Sequence, residues 1–142
     1  MIKTKNAART RLSKFGIKPS LHRLAVMEYL MGNYTHPTVD MIFNSLFPSI
    51  PTLSKTTVYN TLKLFEEKRA ITTVTIDGKN MRYDADITKH AHFQCRKCGA
   101  IHDLRIKDEI PVVVDNPENL LLDDCHVYFR GYCEECGKSY VL

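Results

Sequence analysis

The sequence predicts an α+β chain in two parts, and three observations carry that reading. Three helical stretches followed by a β-hairpin give residues 1–84 the element order of a winged helix-turn-helix domain. Strand candidates punctuated by two Cys-x-x-Cys-Gly pairs make residues 85–142 a small α/β domain stapled through cysteine. Charge divides at the same place: residues 1–84 carry 13 Lys/Arg against 6 Asp/Glu, whereas residues 85–142 carry 7 against 10. The composition, 44% hydrophobic and 25% charged over 142 residues, excludes collagen-like, low-complexity and disordered classes. No apolar run approaches the roughly 18 residues of a membrane span. The opening MIKTKNAARTRLSK is basic with no apolar stretch behind it, so no secretory signal is read there and a soluble, cytosolic protein is expected.

Residues 5–15 predict a short basic helix closed by Gly16 and Pro19. Ser20 caps a second helix to about Met31, with Leu21, Leu24, Met27 and Leu30–Met31 on one face and Gly32 as its stop. After His36-Pro37, Thr38 caps a third helix whose Val39, Ile42, Phe43, Leu46 and Phe47 form an apolar stripe. Pro48 and Pro51 bound a linker, and Ser54 caps a helix to about Lys68 that buries Val58, Leu62 and Phe65. The opposite face of that helix shows Thr56, Tyr59, Asn60 and Lys63, with Lys55 in its first turn and no acid until Glu66. Such side chains hydrogen-bond base edges and phosphates, and a helix start adds backbone N–H groups and partial positive charge. Residues 71–76 alternate as a strand, Asp77-Gly78 supplies a hairpin turn, and residues 81–84 return, with Lys79 and Arg82 carrying positive charge on or near the tip. A polar helix face is more often plain solvent surface, but this element order and charge favour double-stranded DNA as the partner, with helix 55–68 as reader and 71–84 as wing.

The later half offers strands at 91–96, 100–105 and 126–132, while 106–124 is poorly patterned, interrupted by Pro111 and Pro117, with at most a short helix near Glu118–Leu122. Cys95-Arg-Lys-Cys98-Gly99 and Cys133-Glu-Glu-Cys136-Gly137 each let one tight turn present two sulfurs to one ion, and the Gly that follows permits the positive φ such a turn often needs. Two such turns make a closed four-thiolate site of the structural zinc type. Cys125 is left over and is expected to be a partly buried thiol.

A second constellation lies between the halves: Asp84, Asp86, His90, His92, His102 and Asp103. His90 and His92 leave the same face of an extended segment, and a nitrogen/oxygen donor set suits Fe(II), Mn(II) or Zn(II) better than a thiophilic ion. At a hinge beside a DNA-reading module, bound metal would be placed to change relative domain orientation.

These pieces, in this order and spacing, resemble the ferric uptake regulator family over nearly the whole chain. The resemblance is carried by Gly16-Ile-Lys-Pro-Ser-Leu-His-Arg23-Leu, His36-Pro37-Thr38, Ser54-Lys-Thr-Thr-Val-Tyr59-Asn60-Thr-Leu and Arg82-Tyr83-Asp84. It continues through His90-Ala-His92-Phe-Gln-Cys95-Arg-Lys-Cys98-Gly99 and Gly131-Tyr-Cys133-Glu-Glu-Cys136. It implies a homodimer built through residues 85–142, structural zinc on Cys95, Cys98, Cys133 and Cys136, and binding to a palindromic operator when a regulatory metal is bound. It also implies iron or manganese on His36, Asp84, His90, His92 and Asp103, which adds His36 to the set. On the repressor reading Lys14, Lys18 and Arg23 are expected on phosphate or minor groove, with Lys55, Thr56, Tyr59, Asn60 and Lys63 of the helix face on DNA, although Lys55 and Thr56 depart from the smaller or apolar residues usual in the family.

Three His with two Asp is similar to the peroxide-sensing branch, where iron-driven oxidation of a ligand His releases metal and DNA; the iron-sensing branch tends to place Glu where Asp84 and Asp103 stand. An iron-level sensor is therefore the alternative, and a non-haem metalloenzyme or a zinc-ribbon interaction module are the readings from other classes. No Gly-rich cofactor loop and no nucleophile–base motif supports an enzyme. A further metal site of some relatives would need Lys89, Ala91 and Cys125, two of which cannot ligate, so its absence is expected. Pro111 falls where relatives have a dimerisation helix, which shifts the expected dimer contact toward strand 126–132. His22 reads as a surface residue, and His102 and His126 as neighbours of the metal set rather than members of it.

Overall fold

The computed structural model describes residues 2–75, 80–88, 90–106, 115–123 and 125–139, with the side chains of residues 2–4 left aside. The Asp77-Gly78 turn, Lys79, Lys89 and Pro111 lie outside the described residues. The chain divides into two compact units, residues 1–87 and 88–142.

The first unit begins with α1 (Ile2–Lys14), α2 (Leu21–Gly32), α3 (Val39–Leu46) and α4 (Lys55–Glu67). Helix α1 ends in a Schellman motif: Ile17 N donates to Leu12 O at 2.8 Å and Gly16 N to Ser13 O at 3.1 Å, with Gly16 at φ +70°. The side chains of Ser20, Thr38 and Ser54 accept from the amides of Arg23, Met41 and Thr57, so each of the three predicted caps forms. Helix α2 runs through Gly32, however, and its cap is Asn33, whose side chain donates to Tyr29 O. Helix α1 packs on α2, and both α2 and α3 pack on α4. The core is built from Ala8, Leu12, Val26, Met27, Leu30, Ile42, Val58, Leu62 and Phe65. Leu21, read as part of the buried face, is exposed: it is the first residue of its helix, before the apolar stripe reaches the core. Strands β1 (Thr72–Val74) and β2 (Arg82–Asp84) pair antiparallel, Thr72 opposite Asp84, which completes the winged helix-turn-helix order.

In the second unit β3 (His90–Cys95) is central, antiparallel to β4 (Ile101–Arg105) and parallel to β5 (Tyr128–Gly131). Helix α5 (Glu134–Gly137) is a single turn inside the second cysteine pair. Residues 118–122 form no helix: a turn at Pro117–Glu118 leads to Asn119 at φ +55°, pinned by paired Asn116–Leu120 hydrogen bonds. One sheet face presents His92 with Asp103 and Tyr128 in register; the other presents Phe93 beside His102 and Phe129. A Cβ on Gly131 would stand 3.3 Å from the Phe93 ring, which would have to shift by a few tenths of an ångström to admit it.

Candidate metal centres and nucleic-acid interface

The cysteine centre is assembled by two different turns. The first links β3 to β4, with Gly99 N donating to Cys95 O at 3.0 Å and Cys95 N to Ala100 O at 2.9 Å, and Gly99 at φ +77°. The second is the helical turn α5, capped by the Cys133 sulfur, which accepts from Cys136 N at 3.4 Å. Its Gly137 is not at positive φ, so the conformational argument holds for the first glycine alone. The sulfurs of Cys95, Cys98, Cys133 and Cys136 lie within 4.8 Å of one another, which fits a tetrahedral cation with sulfur at about 2.3 Å. Amide donation from Cys98, then Cys133, holds the Cys95 thiol down at about 5, whereas the neighbouring side chain of Cys133 pushes Cys136 up to about 12. Four clustered sulfurs thus share protons unless a cation replaces them, and structural zinc fits the donor set.

The nitrogen/oxygen donors form one set in each unit. In the first unit His36 Nε2 lies 3.4 Å from Asp84 Oδ2, and both residues are buried. His36 stands at φ +56°, an uncommon state for a non-glycine, and its carbonyl accepts from Arg82 Nη1 at 3.0 Å. The next residue is anchored as well, with Tyr83 N donating to Pro37 O at 3.0 Å, so the loop is fixed to β2. Arg82 therefore does not simply carry wing-tip charge: its guanidinium orients the loop that holds His36. Asp84 Oδ1 accepts from Asp86 N at 2.9 Å.

In the second unit His90 Nε2 and His92 Nε2 are 3.0 Å apart, and each faces Asp103 Oδ1, at 3.5 and 3.4 Å. His90 Nδ1 sits 2.7 Å from Thr88 O, so Nδ1 carries the proton and donates it, leaving the Nε2 lone pair aimed at its neighbours. Two imidazole nitrogens and a carboxylate oxygen at one point are a metal-binding arrangement. The Tyr128 ring lies against His92 and also against His126, with centroids 6.0 and 5.9 Å away. His102 lies tilted against the Phe93 ring, centroids 6.1 Å apart, on the other face from His92. Cys125, expected to be partly buried, is exposed, because it precedes β5 rather than lying within it.

On α4, Lys55, Thr56, Tyr59, Asn60 and Lys63 are all exposed, opposite the buried Val58, Leu62 and Phe65. Lys55 is not idle: its Nζ pairs with Asp40 Oδ1 at 3.2 Å and sits 5.7 Å from the Phe43 ring centre. Arg23 Nη1 donates to Lys18 O at 2.8 Å, which orders the 18–23 turn, and Lys14 Nζ lies over the Phe15 ring. Sequence reasoning missed Arg11, Thr72 and Thr88, whose roles rest on backbone carbonyls far along the chain or on a turn, and no residue pattern announces those. His22 meets Thr52, Nε2 to Oγ1 at 3.3 Å, at the surface.

The fold and site define a class: a winged helix-turn-helix unit joined to a small β unit with a four-cysteine centre. The profile of the ferric uptake regulator family matches residues 14–130, and the chain belongs to that family. Over 130 residues it is 31% identical to a peroxide-responsive repressor, PerR, of Staphylococcus epidermidis, covering 90% of this chain and 87% of the relative. Among solved structures it is similar to the ferric uptake regulator of Pseudomonas aeruginosa with manganese (TM-score 0.71, 20% identity, 89% of this chain and 98% of that one). It is also similar to PerR of Streptococcus pyogenes (TM-score 0.52, 24% identity, 94% and 92% covered). Among the described residues, no helix is long and apolar enough to cross a membrane.

Proposed function

We propose that this chain is a homodimeric, metal-dependent repressor that releases a palindromic operator when peroxide oxidises a ligand of its regulatory iron. The observation that carries the reading is the convergence of His90 Nε2, His92 Nε2 and Asp103 Oδ1 within 3.5 Å. His36 and Asp84, buried and 3.4 Å apart, complete a set of three imidazoles and two carboxylates in this proposal. Bound Fe(II) with an open position would reduce peroxide beside its own imidazoles, chemistry that Mn(II) performs poorly. The protein supplies the rest: Thr88 fixes the His90 tautomer, Asp103 orients both rings, and Arg82 holds the His36 loop.

The likeness to a peroxide-responsive repressor supports that reading over iron-level sensing. The exposed face of α4, with no acid before Glu66, would enter the major groove, and Lys14, Lys18 and Arg23 would meet phosphate. Phe129 and Leu104, both exposed and on the sheet face away from His92, would be covered by a second copy. Residues 1–84 then act as the DNA-binding domain and residues 85–142 as the dimerisation and metal-binding domain. A repressor works where the chromosome is, which places this one in the cytoplasm, as a regulator rather than an enzyme.

The test is duplex binding by anaerobic Fe(II)-loaded and Mn(II)-loaded protein, before and after a low dose of peroxide. Loss of DNA by the iron form alone, with one oxygen added on a peptide holding His36 or His90–His92, is expected. Continued binding by both forms, with release only on chelation, would make the protein a metal-level sensor instead. Sustained turnover of a substrate would make it an enzyme.

A further inference from the structure

One guanidinium nitrogen ties together three elements of the winged unit. Arg11, in the last turn of α1, donates from Nη1 to Ala70 O at 3.1 Å and to Ala85 O at 2.8 Å. Both alanines are buried. Ala70 closes the Schellman motif at the exit of α4, where Arg69 N donates to Glu66 O and Ala70 N to Phe65 O, both at 2.9 Å. Ala85 follows Asp84, in a short arch already fixed at its other atoms. Asp84 Oδ1 accepts from Asp86 N, and Thr72 Oγ1 lies 3.5 Å from Asp84 O and 3.3 Å from Asp86 O. A charged donor on a buried carbonyl makes roughly twice the bond of a neutral one, and here it makes two.

We infer that Arg11 is the positioning residue that couples the Asp84 arch to α1 and to the exit of the recognition helix. The inference rests on the proposed function, in which Asp84 holds metal and α1 and α4 meet DNA. Metal that immobilises Asp84 restrains the Ala85 carbonyl, and through Arg11 it orders α1, along which Lys5, Arg9 and Lys14 are exposed. Linkage makes the effect reciprocal: DNA held on α1 orders the arch before metal arrives. A basic residue in this helix reads at first as one more phosphate contact, but its donors are spent on the protein's own backbone.

The experiment compares full-length, zinc-replete wild type with Arg11→Met, which keeps the apolar stem, and Arg11→Lys, whose single nitrogen can still bridge both carbonyls. A duplex selected from a random pool by Mn(II)-loaded wild type serves as probe, titrated with and without Mn(II) over a range of salt. In R11M the ratio of metal-loaded to metal-free affinity should fall by about five-fold or more, with metal-free affinity and salt slope unchanged. The Mn(II) affinity gained on adding DNA should fall by the same factor, and R11K should retain the wild-type ratio. Hydrogen exchange of the metal-free protein should quicken at the Asp86 amide in R11M while the α4 interior stays protected.

Equal weakening of both forms, or a salt slope lower by about 0.9, identifies Arg11 as a phosphate contact and overturns the inference. Wild type without metal-dependent DNA binding overturns the proposed function with it, whereas a normal wild-type ratio kept by R11M overturns the inference alone. If R11M does not fold, Thr72→Val loosens the same arch from β1 and must lower the ratio in the same direction; an unchanged ratio rejects the coupling.

Discussion

The two units are held together by different physics. The winged unit buries a continuous apolar core of fully enclosed side chains running from Ala8 through Phe65 to Ala70, shared among all four helices. In the second unit the buried set among the described residues is Ala91, His92 and Cys95, while Leu104, Leu120, Leu121, Leu122 and Phe129 are exposed. An interior as small as that of the described residues does not offset chain entropy by hydrophobic burial alone. Its sheet instead ends in a cluster of four sulfurs, and Leu104 and Phe129 stand exposed on one face. The described residues of one unit are thus organised around an apolar core, and those of the other around a cysteine cluster.

Zinc removal is the sharpest way to expose that contrast. Structural zinc contributes on the order of 10–16 kcal/mol of folding free energy in small domains. Chelation under reducing conditions, or Cys98→Ser, should abolish protection of the β3–β5 amides and the dimer, while α2 and α4 keep slow hydrogen exchange. Persistence of the sheet without metal would mean that unseen apolar burial supports it, and the comparison would fail. The converse change is Phe65→Ala, which removes a ring fully enclosed in the core of α4. It should cost about 3–5 kcal/mol in the winged unit and lower its melting transition, yet leave bound zinc at one per chain. Simultaneous loss of zinc would show that the units do not melt independently.

A third change tests function rather than stability. Asp103→Ala removes the oxygen that both His90 and His92 face. Asp103 is partly exposed on β4, so the fold should survive. Metal-dependent DNA affinity should drop by about 5–150-fold, to the metal-free level, matching a coupling of about 1–3 kcal/mol. Isothermal titration with Mn(II) and duplex binding measured together check it. Unaltered duplex binding would instead favour a module that binds DNA without sensing.

What the sequence made legible follows the same division. In the winged unit, local rules decided the outcome: Ser20, Thr38 and Ser54 each cap the helix they precede, and the stripe of Val58, Leu62 and Phe65 faces inward. Errors there were at ends, as at Leu21 and Gly32, where one residue more or less of helix changes exposure. The metal set was readable where its members share a strand, since His90 and His92 leave one face of β3 and Asp103 pairs with His92. His36 was visible only through the family resemblance, because 48 residues of chain separate it from Asp84 and no periodicity spans such a gap. Arg82 reads as charge on or near the wing tip and Arg11 as one of several basic residues in the first helix, because composition cannot show that a guanidinium bonds a distant carbonyl. The second cysteine turn proved helical for a similar reason: Cys133 caps it with sulfur, a choice that spacing alone leaves open.

The sulfur cap of α5 has an oxygen counterpart at the start of α4. Ser54 Oγ accepts from Thr57 N at 3.0 Å and lies 2.9 Å from Thr57 Oγ1, so one hydroxyl satisfies an amide and a side chain at the start of the recognition helix. Ser54→Ala leaves that amide to water and should cost about 1 kcal/mol, whereas Ser54→Gly, which opens the turn to solvent, should cost only a few tenths. Urea unfolding followed at the winged unit's transition gives both values. Equal losses for Ala and Gly would mean that the hydroxyl network with Thr57, rather than the cap, carries the stability. At Cys133 the order of effects must differ: substitution by Ser supplies a better cap oxygen but removes a zinc ligand, so the second unit should be lost even though its turn is locally improved. A cap in the first unit is a small local term added to a finished core; a cap in the second is part of the metal site that finishes it.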